Sequence, residues 1–241
     1  MTAAAVAAVV FLTGALALAG QDGYPEPARE KWMMSLSIGG AFPVGAFMNN
    51  LGHIGPSFSL AFGTRLGDSP FMATFECSAV LLGLRSHHEY LSGTIPVQVE
   101  VCTTNNLLQG LVGIKFQPWY GHARPYLEAL AGFSYFFTET VVNNNEYPWD
   151  EIASDTNFDY GTFCAGAGAG VDVLWKGGQM NPDGTRRAAY RLDFKVRYLF
   201  GGRAKYLRDD SIVYKNGVPT YLYRESATNM VSVQAGILVN F

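Results

Sequence analysis

Nine charged residues recur at alternate positions inside otherwise apolar segments of the sequence. Alternate residues of a β-strand lie on one face, so each segment would present its charges to one side and its apolar residues to the other. The set holds five cations and four anions. Since a buried charge is costly unless it is paired and hydrogen-bonded, this near balance predicts a paired ionic network. The nine residues are Arg65, Glu76, Lys115, Glu128, Asp172, Arg191, Asp193, Lys195 and Arg197.

A second group of residues has types that could perform catalysis or bind a metal. The sequence Ser86-His87-His88-Glu89 contains a nucleophile and two bases. Adjacent histidines point to opposite sides of an extended chain, however, so His87 and His88 cannot both serve one site. The same group taken with Cys102 matches no defined metal-ligand spacing. We therefore predict no catalytic residues, no metal site and no cofactor, and we expect the protein not to be an enzyme.

The composition narrows the class of protein. Of the 241 residues, 49% are hydrophobic and 15% are charged, which fits one folded domain. The net charge of -3 at pH 7 provides no basic surface for nucleic acid. The chain has 27 glycines and 14% aromatic residues, which favours many short strands joined by turns. The composition therefore indicates an all-β protein.

The strands that would position the nine charges are visible as segments of period 2. In segment 190–200, aromatic and apolar residues alternate with four charged ones. The final segment, 231–241, alternates in the same way and ends on Phe241. These two segments and six others predict eight strands. The six others lie near residues 32–39, 57–65, 71–81, 108–117, 127–137 and 163–175.

The connections between these segments alternate between short and long. Residues 67–70 and about 118–124 are short turns, and 176–188 is intermediate in length. In an up-and-down barrel, this alternation places the short turns at one end and the long loops at the other. If both termini lie at the short-turn end, the number of strands must be even. The long polar connections are about 43–53, 85–104, 139–159 and 201–226.

Alternation alone fits either a membrane barrel or a soluble lipocalin-like binder, since the two differ in which face points inward. Eight faces rich in Phe, Leu, Tyr and Trp would overfill an eight-stranded interior. The charged face contains many Gly, Ser and Ala residues and fits the interior better. We therefore predict an all-β, membrane-spanning, antiparallel up-and-down β-barrel of eight strands. The lipocalin-like binder remains an alternative.

Two segments inside the long connections leave a ten-stranded barrel open. Residues 94–101 have the composition of a strand. Residues 212–214 and 221–223 flank Asn216-Gly217, which is a strong hairpin signal. We interpret both as strand extensions above the membrane, and ten strands is the alternative.

The chain divides into three predicted parts. Residues 1–19 are expected to be a signal peptide, because an apolar run ends in the small-x-small sequence Ala17-Leu18-Ala19. Residues 20–31 would then be a short periplasmic segment, and residues 32–241 the barrel. No disulfide framework is expected from the three cysteines, Cys77, Cys102 and Cys164.

Three segments carry a family resemblance. They are Gly39-Gly40-Ala41-Phe42-Pro43-Val44-Gly45, then Arg124-Pro125-Tyr126-Leu127-Glu128-Ala129-Leu130-Ala131-Gly132-Phe133-Ser134, and the terminal strand ending on Phe241. Together they resemble the small eight-stranded outer-membrane barrels, the OmpA-transmembrane and OmpX-like group and the porin-family barrel domains. The likeness extends over residues 32–241. It implies a location in the outer membrane of a Gram-negative bacterium, and it implies that Phe241 is part of the signal read by the barrel-assembly machinery.

In a membrane barrel of this kind, the fourth long connection, residues 201–226, is expected to contact lipid, because it contains several cations. Its side chains would lie near the outer leaflet, where they could contact the anionic phosphates of lipopolysaccharide. The expected partners are therefore outer-membrane lipid and lipopolysaccharide, with no nucleic acid, and we expect a monomer. The residues concerned are Arg203, Lys205 and Arg208.

The resemblance does not fix one activity, because related barrels serve as anchors, adhesins, narrow pores and enzymes. The leading hypothesis is a non-enzymatic barrel, structural or engaged in surface interaction through its long extracellular loops, with a lumen filled by paired charges. A narrow porin for small solutes is the main alternative. An enzyme that modifies lipid A, using His87 or His88, and a soluble lipocalin-like binder are further alternatives.

Overall fold

The computed structural model describes residues 30–51, 54–90, 98–117, 121–144, 151–178, 188–215 and 218–241. These ranges contain ten strands and one short helix. The strands are β1 (Trp32–Pro43), β2 (Gly55–Arg65), β3 (Phe71–Tyr90), β4 (Gln98–Phe116), β5 (Ala123–Asn144), β6 (Glu151–Gly177), β7 (Ala189–Gly201), β8 (Arg203–Lys215), β9 (Val218–Ala227) and β10 (Met230–Asn240), and the helix is α1 (Ala46–Leu51).

Eight of these strands form a closed antiparallel barrel in the order β1-β10-β7-β6-β5-β4-β3-β2. Closure comes from β1 and β10, which pair from Met33↔Asn240 to Pro43↔Met230. The start of β1 and the end of β10 therefore lie at the same end as the short turns, which we name the periplasmic end. The opposite end, with the long connections, is named the outer end. The predicted eight-stranded up-and-down barrel is confirmed.

The remaining strands, β8 and β9, form a separate two-stranded sheet. Their pairing runs from Arg203↔Ala227 to Lys215↔Val218, with an irregularity between Leu207 and Ile212. This is the hairpin indicated by Asn216-Gly217. It lies between β7 and β10 in sequence but adds no strand to the barrel, so the ten-stranded alternative is wrong.

Strands β3 to β6 are much longer than the sequence indicated. A tilted membrane-spanning strand needs about 9–11 residues, whereas β5 has 22 and β6 has 27. Their pairing continues to Val99↔Asn144 and Asn143↔Glu151. Much of the connections predicted at 85–104 and 139–159 is therefore strand. The sequence of these extensions lacks the apolar alternation that marks a half-buried strand.

The large apolar side chains point outward and the charged ones point inward. Phe133 and Trp175 are each 68% exposed, whereas Asp172 is 0% exposed and Arg191 is 1% exposed. A soluble lipocalin-like barrel requires the reverse orientation, so that alternative is contradicted. A closed barrel satisfies every strand hydrogen bond internally, and an apolar exterior faces lipid. The chain is therefore a membrane-spanning β-barrel.

Aromatic side chains mark both edges of this apolar exterior. Trp32, Phe71, Phe116 and Trp175 lie near the periplasmic end, and Tyr135 and Phe200 lie toward the outer end. Ten residue steps of a strand tilted by about 40° span roughly 25 Å, which matches the apolar band of outer-membrane barrels. No helix within the described ranges is long and apolar enough to cross a membrane.

The outward face gives a direct test of membrane residence. Leu36, 62% exposed near the middle of β1, should lie at the bilayer midplane. Leu36→Arg is expected to lower the free energy of unfolding in lipid vesicles by about 2–4 kcal/mol, measured by denaturant titration. Leu66→Arg, at the periplasmic turn, is the matched control and should cost at most about 1 kcal/mol. Equal losses at the two positions would contradict the membrane orientation.

Candidate functional site

The centre of the lumen is built around the guanidinium of Arg197 on β7. Its Nη1 and Nη2 donate to the two carboxylate oxygens of Glu76 at 2.5 and 2.9 Å. Its Nε and Nη2 donate to Glu128 at 2.5 and 3.1 Å. All three residues are buried. One planar guanidinium therefore binds two carboxylates, each through two hydrogen bonds, which is the strongest geometry that arginine offers.

These contacts join distant walls of the barrel. Strand β3, which carries Glu76, lies four places from β7 in the ring of eight strands and so faces it across the lumen. Strand β5, which carries Glu128, lies two places from β7. The Arg197 side chain is therefore a brace across the full width of the barrel.

Lys195 extends the same network from the same face of β7. Its Nζ lies 3.3 Å from Glu76 Oε2 and 4.0 Å from Asp193 Oδ2. It also lies 3.4 Å from the Ser59 hydroxyl on β2. Residues 193, 195 and 197 share the inward face because they are two positions apart in the strand.

A second cluster lies closer to the periplasmic end. Lys115 Nζ is 3.1 Å from Asp172 Oδ2, and Gln117 also donates to that oxygen. Lys115 Nζ lies over the face of the Tyr126 ring, 3.5 Å from the ring centroid, in a cation–π contact. The Tyr126 hydroxyl donates to Asp193 Oδ1 at 2.6 Å. Tyr126 thus links the second cluster to the network around Lys195.

A third group closes the periplasmic end of the lumen. Arg124 Nη1 lies 2.6 Å from Glu30 Oε2. Arg65 Nη1 donates to the Gln117 carbonyl at 3.3 Å, and Arg191 Nη1 donates to the His122 carbonyl at 3.4 Å. These charges are buried, like the rest of the set.

All nine charged residues that the sequence singled out lie in the lumen. Two further members, Glu30 and Arg124, were missed. Glu30 precedes the first alternating segment, and Arg124 stands beside a turn where the alternation is short. A usable signal was present for Arg124, because it shares the period-2 face of Tyr126 and Glu128.

Glycines on β6 provide the space that the long charged side chains occupy. A Cβ at Gly168 would lie 2.7 Å from Arg197 Cγ and 2.8 Å from Glu128 Oε1. A Cβ at Gly170 would collide with the Tyr126 ring and hydroxyl. Gly168 and Gly170 therefore leave the space that the side chains of the ionic network and Tyr126 occupy.

Above the ionic network, toward the outer end, the lumen is filled by neutral polar side chains. Gln234 Nε2 donates to the Ser57 hydroxyl at 3.1 Å, and the Ser59 hydroxyl donates to Gln234 Oε1 at 3.2 Å. On the other wall, Gln109 bridges Ser78 and Ser134 at 3.3 and 2.9 Å. A serine–glutamine layer thus continues the network between the charges and the outer end.

A cluster of buried apolar side chains also lies in the lumen and extends to its outer end, which the sequence did not predict. Its members are buried residues of the barrel strands and of the segments at the outer end. Phe47 from α1 is 0% exposed and meets the Phe136 ring edge to face, with 5.8 Å between centroids. We name this group the apolar plug: Ala41, Phe47, Val80, Leu82, Leu107, Leu111, Leu130, Phe136, Cys164, Leu199, Ala204 and Met230.

Helix α1 brings Phe47 to this position by a sharp change of chain direction. Gly45 has φ of 65°, a left-handed conformation that glycine adopts readily, and it lies between the end of β1 and the helix. With only six residues, α1 is marginal by itself. Its stability therefore depends on the burial of Phe47.

The middle of the lumen has little free space. A cavity lined by the Arg197 network, Tyr126 and Thr74 has room for about one water molecule. The buried Thr74 hydroxyl has no partner within the described part of the chain. The described lumen is therefore packed with side chains, as expected for a barrel of eight strands.

The structure describes some of the other residues that the sequence singled out. Among the described residues, no group of three or more His, Cys, Asp or Glu could hold a metal ion. Cys77 and Cys164 are free thiols. Arg203 is exposed at the outer end, with Nη1 3.8 Å from Glu225 Oε1. Phe241 points outward, and its backbone N–H and carbonyl pair with Trp32. The side chains of Ser86, His87, His88, Glu89, Cys102, Lys205 and Arg208 lie outside the described residues.

Solved structures offer comparisons of shape. Neisserial surface protein A is 13% identical, with a TM-score of 0.42, covering 87% of this chain and 97% of that one. Ail, the attachment invasion locus protein of Yersinia pestis, is 9% identical, with a TM-score of 0.39, covering 88% and 99%. The outer membrane protease OmpT of Escherichia coli is 11% identical, with a TM-score of 0.35, covering 90% and 99%. At these values the likenesses carry no information about binding or catalysis. No protein-family model and no curated protein matches the sequence.

The barrel itself confirms the fold that the sequence motifs implied. A closed ring of eight antiparallel strands, short turns at one end, long extensions at the other and an apolar exterior form the architecture of small outer-membrane barrels. The chain is a barrel of the outer-membrane type.

The glycines that accommodate the charged network provide a sharp test. Gly168→Ala places a methyl group against Arg197 and Glu128 and is expected to lower the free energy of unfolding by about 1–3 kcal/mol. Gly110→Ala is the matched control, because a Cβ there meets nothing within 4 Å. Denaturant titration in lipid vesicles measures both. A control loss as large as that of Gly168→Ala would refute the packing described here.

Proposed function

We propose that this protein is a non-enzymatic outer-membrane barrel that acts as a closed anchor and displays its extracellular strands for structural or surface interaction. The observation that carries the proposal is the filling of the lumen. Arg197 ties β7 to β3 and β5 in its middle, and Phe47 is buried in the apolar plug toward its outer end. Among the described residues, this filling joins the walls of the barrel, and it supports a lumen that is closed to solutes.

The extracellular extensions support an interaction role. Strands β3 to β6 continue well beyond the length that a membrane requires, and the β8–β9 hairpin stands beside them. Strands that continue outside the membrane carry their connections on the barrel, and binding residues are often found on connections positioned by such a scaffold. Nothing in the lumen requires strands of this length.

A narrow porin is the main rival to this proposal, and electrical recording separates the two. Purified protein in a planar bilayer is expected to show no large, stable conductance, because charged, polar and apolar side chains fill the described lumen. A general porin recorded in the same lipid is the positive control. Stable conductance steps of porin size would overturn the closed lumen and favour solute passage.

The cations of the fourth long connection support a proposed contact with lipopolysaccharide. The side chain of Arg203 is 81% exposed, and it stands directly after β7 at the outer end of the barrel. Lys205 and Arg208 follow it in β8. Cations near an anionic leaflet attract its phosphates by about 1 kcal/mol each.

Charge reversal tests this contact. The triple variant Arg203→Glu, Lys205→Glu and Arg208→Glu should bind less lipopolysaccharide in a co-purification assay at low salt, since phosphate attraction becomes repulsion. Lys31→Glu with Lys176→Glu, two exposed cations at the periplasmic end, is the control and should leave association unchanged. If the triple variant binds as much lipopolysaccharide as the wild type, the proposed contact is contradicted.

The position of Phe241 supports recognition by the barrel-assembly machinery during insertion. It follows β10, the strand that completes the ring, and its side chain faces outward. An outward aromatic residue at the end of the closing strand is accessible before β10 pairs with β1.

A further inference from the structure

Glu30 stands just before β1, outside the strands, yet its side chain lies within the periplasmic end of the lumen. Its Oε2 accepts hydrogen bonds from Arg124 Nη1 at 2.6 Å and from Asn240 Nδ2 at 2.8 Å. Only 9% of the residue is exposed. A carboxylate so placed is a structural member of the lumen, although it belongs to the segment that leads into the barrel.

The two partners of Glu30 come from different walls. Asn240 is the last residue of β10, which pairs with β1 to close the ring. Arg124 lies on β5, four places from β1 in the ring of eight and therefore across the lumen. The backbone bonds next to Glu30, from the N–H groups of Lys31 and Trp32 to the Phe241 carbonyl, belong to the same β1–β10 seam. Glu30 thus connects the seam to the opposite wall.

Glu30 also interacts electrostatically with other charges at this end. Its carboxylate attracts Arg65 and Arg191 in addition to Arg124. Removal of a carboxylate from a group of buried guanidiniums is costly, because each retains its charge away from water. The contact of Glu30 is therefore hard to break while the barrel stays closed.

The seam is the pairing with the greatest sequence separation in the fold, since it joins Met33 to Asn240. Closing it brings the two ends of the barrel together and requires the largest loss of chain entropy. Asn240 reaches Glu30 because β10 is paired with β1, so this half of the Glu30 contact belongs to the closed seam. The complete contact, with Arg124 and Asn240 on one carboxylate oxygen, is therefore a feature of the closed barrel.

We propose that Glu30 is a closure latch, a positioning residue that holds the β1–β10 seam shut by tying Asn240 to Arg124 across the periplasmic end. It has no part in the surface interaction proposed above. Because the contact forms with closure, it slows reopening of the seam and has little influence on earlier steps of folding.

Hydrogen exchange of backbone amides tests the latch, because it reports opening pair by pair. In detergent micelles, Glu30→Gln is expected to speed exchange of seam amides, including those of Trp32 and Phe241, on the order of tenfold or more. Amides of the β4–β5 pairing, such as those around Leu111↔Gly132, should stay within about twofold of wild type. A uniform acceleration in all strand pairs, or none at the seam, would overturn the proposal.

Two further variants sharpen the result. Asn240→Ala keeps the Glu30–Arg124 pair but removes the link to β10, so it should also speed exchange at the seam, and by less than Glu30→Gln. It keeps the test available if Glu30→Gln fails to fold. Tyr126→Phe is the control, because it deletes a buried lumen hydrogen bond, to Asp193, that joins β5 to β7. If Tyr126→Phe accelerates the seam amides as much as Glu30→Gln does, Glu30 has no special role there.

Discussion

A charged side chain inside an eight-stranded barrel must find its partners in the protein, because side chains fill so narrow an interior. The guanidinium of Arg197 meets this constraint by binding Glu76 and Glu128, which come from two other strands. Neighbouring residues of the lumen accommodate or extend these contacts. Gly168 leaves space beside it, and Lys195 shares its acceptor Glu76. The barrel is therefore braced from inside by polar contacts, while lipid surrounds its apolar exterior.

The lumen is layered along its axis. Buried guanidiniums and Glu30 lie at the periplasmic end, and the Arg197 network lies in the middle. Toward the outer end, the serine–glutamine contacts and the apolar plug share the lumen, with Leu111 and Leu130 of the plug deeper along their strands than Gln109 and Ser134. Near each end the lumen also contains a buried side chain from outside the strands, Glu30 at the periplasmic end and Phe47 toward the outer end. Side chains from outside the strands thus complete a filling that the strand faces alone do not provide.

The parts of this structure that sequence could predict are those where one physical pattern decides the outcome. The alternation of apolar and polar residues predicted the eight strands. It also predicted that residues such as Asp193 and Lys195 point inward, because a strand has only two faces. The alternation of short and long connections predicted short turns at one end of the barrel and long connections at the other. Phe47 escaped prediction because it lies in a connection, where no periodicity shows which way a side chain points. The lengths of β5 and β6 escaped prediction because the sequence of their outer parts lacks the apolar alternation by which a half-buried strand is recognised.

The central claim is that Arg197 and Glu76 stabilise the barrel jointly, as a pair buried across the lumen. A double-mutant cycle with Glu76→Gln, Arg197→Gln and the combined variant isolates that joint contribution to the free energy of unfolding in lipid vesicles. The structure predicts a coupling of at least about 2 kcal/mol, as found for close buried charge pairs. A coupling below about 0.5 kcal/mol, within the range of independent sites, would contradict it.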